Sequence, residues 1–270
     1  MDKKRLLSGI VIVSLVLLAI TFLPKNSLLI LVGLITGVSC WEFFRFRFSY
    51  LLSATLTVLF FLIIYFLGLE IFLPLIVLFF LFSLVLGFFT LTFPHNKNLL
   101  QNSIFSLFSG GLVHLTFFYS IYFLLSSSEI SDKMEFNERL ILLLVISISA
   151  LMDTVAYFSG RRFGVNKFLP NVSPNKTFEG FVIALIITPV FLSALVSLSF
   201  ESSLIRLFLL IFITSLYSVL GDAVASLFKR LAGVKDSSNL IPGHGGMFDR
   251  IDSHLFAFPI FIIIFWILYL

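Results

Sequence analysis

Nine stretches of mostly apolar residues, each close to the length that crosses a bilayer, decide what this 270-residue chain can fold into. They lie near 6–23, 27–44, 51–67, 71–93, 103–125, 139–159, 177–198, 204–228 and 254–270. A spanning helix needs about 20 mainly apolar residues. Hydrocarbon holds no water to pair a free N–H or C=O, so each run is read as a helix. Composition agrees, with 59% hydrophobic and 12% charged residues. A water-soluble fold of this size has too little interior to hide that much apolar surface. The second run, with Trp41 and Glu42, and the last, short and holding Pro259, carry the poorest span signal. The predicted fold class is all-α, a polytopic transmembrane helical bundle of about nine spans.

The first run follows Met-Asp-Lys-Lys-Arg and is longer than the roughly 7–15 apolar residues of a signal peptide. It has no small-residue cleavage site and is read as a retained helix. Basic residues in the loops set orientation. With the N-terminus inside, fourteen fall inside: Lys3, Lys4, Arg5, Arg45, Arg47, Lys97, Arg161, Arg162, Lys167, Lys176, Lys229, Arg230, Lys235 and Arg250. Only Lys25, Lys133, Arg139 and Arg206 fall outside. The split predicts N-terminus inside, C-terminus outside. The basic residues are scattered over short loops, which argues against nucleic acid as a partner. The single cysteine, Cys40, excludes an intramolecular disulfide and a cysteine-based zinc site. The four histidines show no zinc spacing.

Polar residues concentrate in the second half, so the chain is divided into 1–138, a lipid-facing scaffold, and 139–270, a catalytic region with two inner loops. In the first half only Glu42 and His114 are titratable well inside a span, and each reads more simply as a structural partner. The acidic outer loop at 126–138 reads as a solvated connector. The inner loops, about 160–176 and 229–253, share one side, where long loops on a rigid scaffold carry binding and catalysis. The second surrounds His244 with Gly233, Gly243, Gly245 and Gly246, which permit positive φ and close backbone approach to a ligand. Its bland reading is a turn, but turns between helices take roughly 2–8 residues.

Ser215, Ser218, Asp222, Ser226 and Lys229 share one helical face, a polar stripe leading from mid-membrane to the inner surface. A carboxylate at that depth needs a cation, whether a metal ion or a salt-bridge partner. Asp249 and Asp252 begin the last helix with a spacing that also suits an N-cap. Asp153 is a further acid near an inner helix end. Carboxylates are hard ligands for Mg²⁺, and Lys and Arg take phosphate oxygens. Together these groups point to metal-assisted phosphoryl or nucleotidyl transfer at a bilayer surface. There is no Walker A motif.

The segment SLFKRLAGVKDSSNLIPGHGGMFDRID, residues 226–252, resembles the signature of the phosphatidate cytidylyltransferase family at every fixed position. Two further stretches, DTVAYFSGRRFG (153–164) and SPNKTFEG (173–180), are similar to that family. The resemblance is detailed over roughly 150–255. It implies transfer of the cytidylyl group of CTP to phosphatidic acid, giving CDP-diacylglycerol and pyrophosphate in phospholipid biosynthesis. It implies metal binding, Mg²⁺ as one or two divalent ions with room for a second ion of another kind, at Asp222 and Asp249. Lys176, Lys229, Arg230 and Lys235 would hold phosphates. The backbone of Gly243, His244, Gly245 and Gly246 would cradle the triphosphate. Asp236, Arg250 and Asp252 are implied as site residues, and Ser173, Asn175 and Glu179 as substrate contacts, although Ser173 before Pro174 could simply start a helix. One position departs: similar enzymes commonly carry Glu three residues after Asp222, where this chain has Ala225. The resemblance also suggests a homodimer. With no targeting peptide read in the chain and short loops, a bacterial-type inner membrane is expected, with the site towards the cytoplasm.

Since CTP comes from water, an inward-open polar cavity is expected around Asp222. Two rivals stand beside this reading. A transporter suits buried acids, but the halves show no repeat with paired broken helices. A CTP-dependent lipid-alcohol kinase would use the same groups and release CDP instead of pyrophosphate. The spacing of a CDP-alcohol phosphotransferase is missing.

Overall fold

The computed structural model describes residues 3–134, 136–198, 203–241 and 243–269. Its helices are α1 (Lys3–Phe22), α2 (Lys25–Phe44), α3 (Tyr50–Phe66), α4 (Phe72–Thr92), α5 (Lys97–Leu100), α6 (Ser103–Ser126), α7 (Glu129–Met134), α8 (Glu138–Phe163), α9 (Phe178–Ser197), α10 (Leu204–Leu231), α11 (Phe248–Ile251) and α12 (His254–Tyr269). Each of the nine expected runs is a long helix. Among the described residues seven helical stretches are long and apolar enough to cross a bilayer, and Gly9–Phe22 and Tyr50–Phe66 are shorter apolar helices. The protein is an integral membrane protein. Large side chains such as Leu51, Phe66 and Phe88 lie exposed on the outside of the bundle, where lipid rather than water accommodates them.

Helix ends follow local chemistry. The side chains of Asn102 and Asn137 accept from the N–H of Ile104 at 2.8 Å and of Arg139 at 2.9 Å. Each thereby satisfies a donor that the first helical turn leaves free. The last helix, one of the two poorest spans on sequence, is well enclosed. Leu255 through Ile262 are all buried, and α12 packs against α10 and α6. Pro259 is tolerated inside it, amid that packing. One hydrophobic core runs from Ile20 through Phe117 and Ile148 to Phe265 and so draws on both halves of the chain.

Contacts sort the connections into two ends. At one end Arg139 donates to the carbonyls of Ile20 (2.8 Å), Thr21 (2.6 Å) and Leu23 (2.8 Å), and Lys25 pairs with Glu138. At the other, Arg47 reaches Ser103 at 3.2 Å and Asn171 reaches the Phe93 carbonyl at 3.1 Å. Arg139 caps carbonyls that the end of α1 leaves unpaired. A cation in that place contributes up to about 2 kcal/mol. Arg139→Ala is expected to lower stability by about that amount, read as an earlier unfolding midpoint in detergent.

Two connectors depart from expectation. The loop at 126–138 contains α7, whose Ile130 and Met134 are buried, so it is packed rather than merely solvated. The loop at 160–176 folds into an antiparallel hairpin of β1 (Lys167–Leu169) and β2 (Ser173–Thr177). Ser173 therefore starts a strand, not a helix. Pro174 disfavours helical backbone in the residue before it. Helix α9 begins at Phe178, where the Thr177 hydroxyl accepts from the Gly180 N–H at 3.2 Å.

Candidate active site at the loop end of the bundle

The hairpin is fixed by apolar contacts. Leu169 and Val172 pack with Ala223 and Leu227 of α10, and Phe168 stacks on Phe181 with ring centres 4.5 Å apart. This seats β2 beside the turn of α10 that carries Asp222, and Lys176 of β2 pairs directly with Asp222. One fifth of the Asp222 side chain remains accessible, so the carboxylate is not sealed in apolar packing. Burial pulls the Lys176 ammonium down, but the charges of Asp222 and Asp153 outweigh it and hold it above the usual lysine range. Lys176 is thus a permanent cation at physiological pH.

The polar stripe on α10 is buried on either side of Asp222: Ser215, Ser218 and Lys229 are all nearly inaccessible. Lys229 contacts Asp249 at 2.8 Å and Asp252 at 3.7 Å. Asp153, Asp222 and Asp252 lie near enough to feel one another's charge, and Arg250 also acts on Asp153. Four acids therefore converge on two lysines. Carboxylates outnumber the cations that face them, an arrangement that costs free energy unless a further cation joins them.

Asp249 does not cap a helix. One oxygen meets Lys229, and the other accepts from the N–H groups of Ser237 (2.7 Å) and Gly246 (2.9 Å) and lies 2.9 Å from the Ser237 hydroxyl oxygen. The D-x-x-D spacing falls on a break instead. Helix α11 ends at Ile251, and α12 starts at His254. The turn before Asp249 is closed by the His244 N–H to the Ile241 carbonyl at 2.9 Å and the Ile241 N–H to the Gly245 carbonyl at 2.8 Å. Gly245 sits at φ +83°, and a Cβ there would lie 2.5 Å from the Asp249 carboxylate. Its lack of a side chain makes room for this protein's own acid as well as for any ligand.

Other expected residues occupy the rim. Arg230 bridges the two loops, donating to the carbonyls of Val172 and Val234 at 3.2 Å each. Glu179 accepts from Val165 N–H (3.0 Å) and from the Asn166 side chain (2.8 Å), tying the hairpin to α9. Asn175, Lys235, Asp236 and Arg250 are exposed, Ser173 is half-buried, and Gly243 lies at φ +78° in the turn. Ala225 lines an apolar cavity of about 20 Å³ with His114, Phe228 and Phe248. His114 is a structural partner: its Nδ1–H donates to the Gly110 carbonyl at 2.8 Å, and its Nε2 lies 3.0 Å from Ser39 Oγ.

The residue that sequence reasoning undervalued is Glu42. It is fully buried, and its carboxylate accepts from Ser237 Oγ (2.8 Å), Ser238 Oγ (2.6 Å) and the Phe248 N–H (2.8 Å). The one available signal was an acid inside an otherwise apolar span.

Fold and site together define a membrane-embedded helical protein with a carboxylate–lysine centre at one end of its bundle. The sequence profile of the Cytidylyltransferase family matches residues 3–268, and the chain belongs to that family. Among curated relatives, the phosphatidate cytidylyltransferase of Staphylococcus saprophyticus is 49% identical over 113 residues, 41% of this chain and 43% of the relative. That of Haemophilus influenzae is 44% identical over 126 residues, 45% of this chain and 44% of the relative. The chain spans less than half the length of the curated relatives it matches.

Proposed function

We propose that this protein is a phosphatidate cytidylyltransferase, transferring the cytidylyl group of CTP to phosphatidic acid with release of pyrophosphate. The observation that carries the reading is the convergence of Asp153, Asp222, Asp249 and Asp252 on Lys176 and Lys229, within segments similar to those relatives. Residues 139–270 hold this centre, and 1–138 act mainly as scaffold.

Among the described residues no group of three or more acids, histidines or cysteines is already arranged around a metal position. The donor chemistry nevertheless fits a hard divalent ion, because four carboxylates meet at this centre and only two lysines pair with them. Asp222 and Asp249 would hold Mg²⁺, singly or with a second ion of another kind. Bound there, the ion would offset triphosphate charge and ease departure of pyrophosphate.

The acceptor phosphate is already an anion, so the protein's task is to bring two anions together and hold them aligned. Lys176, a lasting cation, is placed to take a phosphate oxygen in exchange for its contact with Asp222. Lys229 keeps Asp249 in register. Arg230 and Lys235 line the rim where a triphosphate enters, and the turn at Gly243, His244, Gly245 and Gly246 borders it; the His244 and Gly246 N–H groups already donate to the Ile241 carbonyl and to Asp249, which leaves those of Gly243 and Gly245 to meet a phosphate. Asp236, Arg250, Ser173 and Asn175 border the same entrance. With more basic residues inside, the loop end faces the cytoplasm of a bacterial inner membrane, and a homodimer follows from the family resemblance.

The test is turnover in detergent with CTP, phosphatidic acid and Mg²⁺. CDP-diacylglycerol and pyrophosphate should appear together, stop on chelation with EDTA and resume when Mg²⁺ is restored. Turnover that persists in EDTA would remove the metal from this account.

A further inference from the structure

Glu42 stands two residues from the C-terminal end of α2, where the helix dipole disfavours an acid, and it is completely buried. Such a carboxylate persists only if donors are delivered to it. Here all three come from the site loop or its edge, 195 to 206 residues away in sequence: Ser237, Ser238 and the backbone of Phe248. Gly246 is shaped by the same contact, since a Cβ there would collide with both the Glu42 carboxylate and Ser237 Oγ. Ser237 joins the two acids. Its hydroxyl lies 2.8 Å from Glu42 and 2.9 Å from Asp249, while its N–H serves Asp249 alone at 2.7 Å. The single hydroxyl proton can turn to Glu42 and still leave Asp249 supplied by two backbone donors and Lys229.

We infer that Glu42 is a positioning residue for the transfer reaction, acting through Ser237 to hold Asp249 and the 243–246 turn against the bundle. This rests on the reaction proposed above. An acceptor of the same shape should suffice, because the geometry asks for hydrogen-bond acceptance and not for chemistry at the substrate.

The experiment compares wild type, Glu42→Gln and Glu42→Leu in lipid nanodiscs. It reads steady-state CDP-diacylglycerol formation and hydrogen–deuterium exchange of 236–248. Glu42→Leu is expected to lower kcat about 100-fold, the scale of a misplacement of about 1 Å. It should speed exchange in 236–248 and leave α8, α9 and α12 as in wild type. Glu42→Gln should stay within about fivefold of wild type, since its amide oxygen still accepts. Wild-type kcat in Glu42→Leu, equal damage in both variants, or faster exchange throughout the bundle would overturn the inference. If Glu42→Leu does not fold, Ser237→Ala with Ser238→Ala tests the contact from the loop side. About tenfold lower kcat with local loosening is expected, and no change in either would overturn it. A wild type that makes no CDP-diacylglycerol would sink the proposed reaction, while the exchange measurement would still decide whether Glu42 orders the loop.

Discussion

Lys229→Met should destabilise the protein by about 3–5 kcal/mol, the scale for removing one partner of a buried ion pair. Its ammonium is nearly inaccessible and lies between Asp249 and Asp252. The Met side chain fills similar space but leaves two acids facing each other without their cation. The loss arises from those stranded carboxylates more than from the missing attraction. Denaturant unfolding in detergent micelles should therefore show a clearly earlier midpoint. Lys229→Met/Asp252→Asn should recover part of the loss, because it removes one stranded charge. A single variant as stable as wild type would mean that water reaches Asp249 and Asp252 freely.

Asp222→Asn has the opposite profile. Lys176, its partner, keeps 29% of its side chain accessible, so it can be rehydrated when the charge is lost. Little stability should change. Turnover should fall by about 10²–10³, the range seen when a group that stabilises developing charge is removed. Paired measurement of kcat and unfolding midpoint checks this: activity lost with the fold intact is expected. A fold lost together with activity would make Asp222 a structural ion-pair partner only.

Much of this architecture was legible because its signals are local. Apolar runs placed every long helix to within a few residues, and the one-faced spacing from Ser215 to Lys229 marked the buried stripe on α10. What escaped was non-local. Nothing near Glu42 says that its donors are Ser237 and Ser238, because no periodicity links partners so far apart. Asp249 and Asp252 were expected in the site, but their spacing also suited an N-cap and left that alternative open. Only folding shows Asp249 accepting from Ser237 and Gly246, and the chain breaking between Ile251 and His254. The hairpin at 167–177 was hidden because its strands are three and five residues long, too short for an alternating pattern. Of the glycines in the second loop, Gly233, Gly243 and Gly245 take the positive φ expected of them, but Gly245 and Gly246 make room for side chains of the protein itself.

The most direct test follows the two ends of CTP separately. Purified protein would receive phosphatidic acid, Mg²⁺ and CTP carrying ³²P at either the α or the γ phosphorus, with a lipid alcohol supplied in parallel. The account predicts that α label enters the lipid product and γ label leaves as pyrophosphate. Label from the γ position in the lipid, with CDP released, would contradict it and make the protein a CTP-dependent lipid kinase.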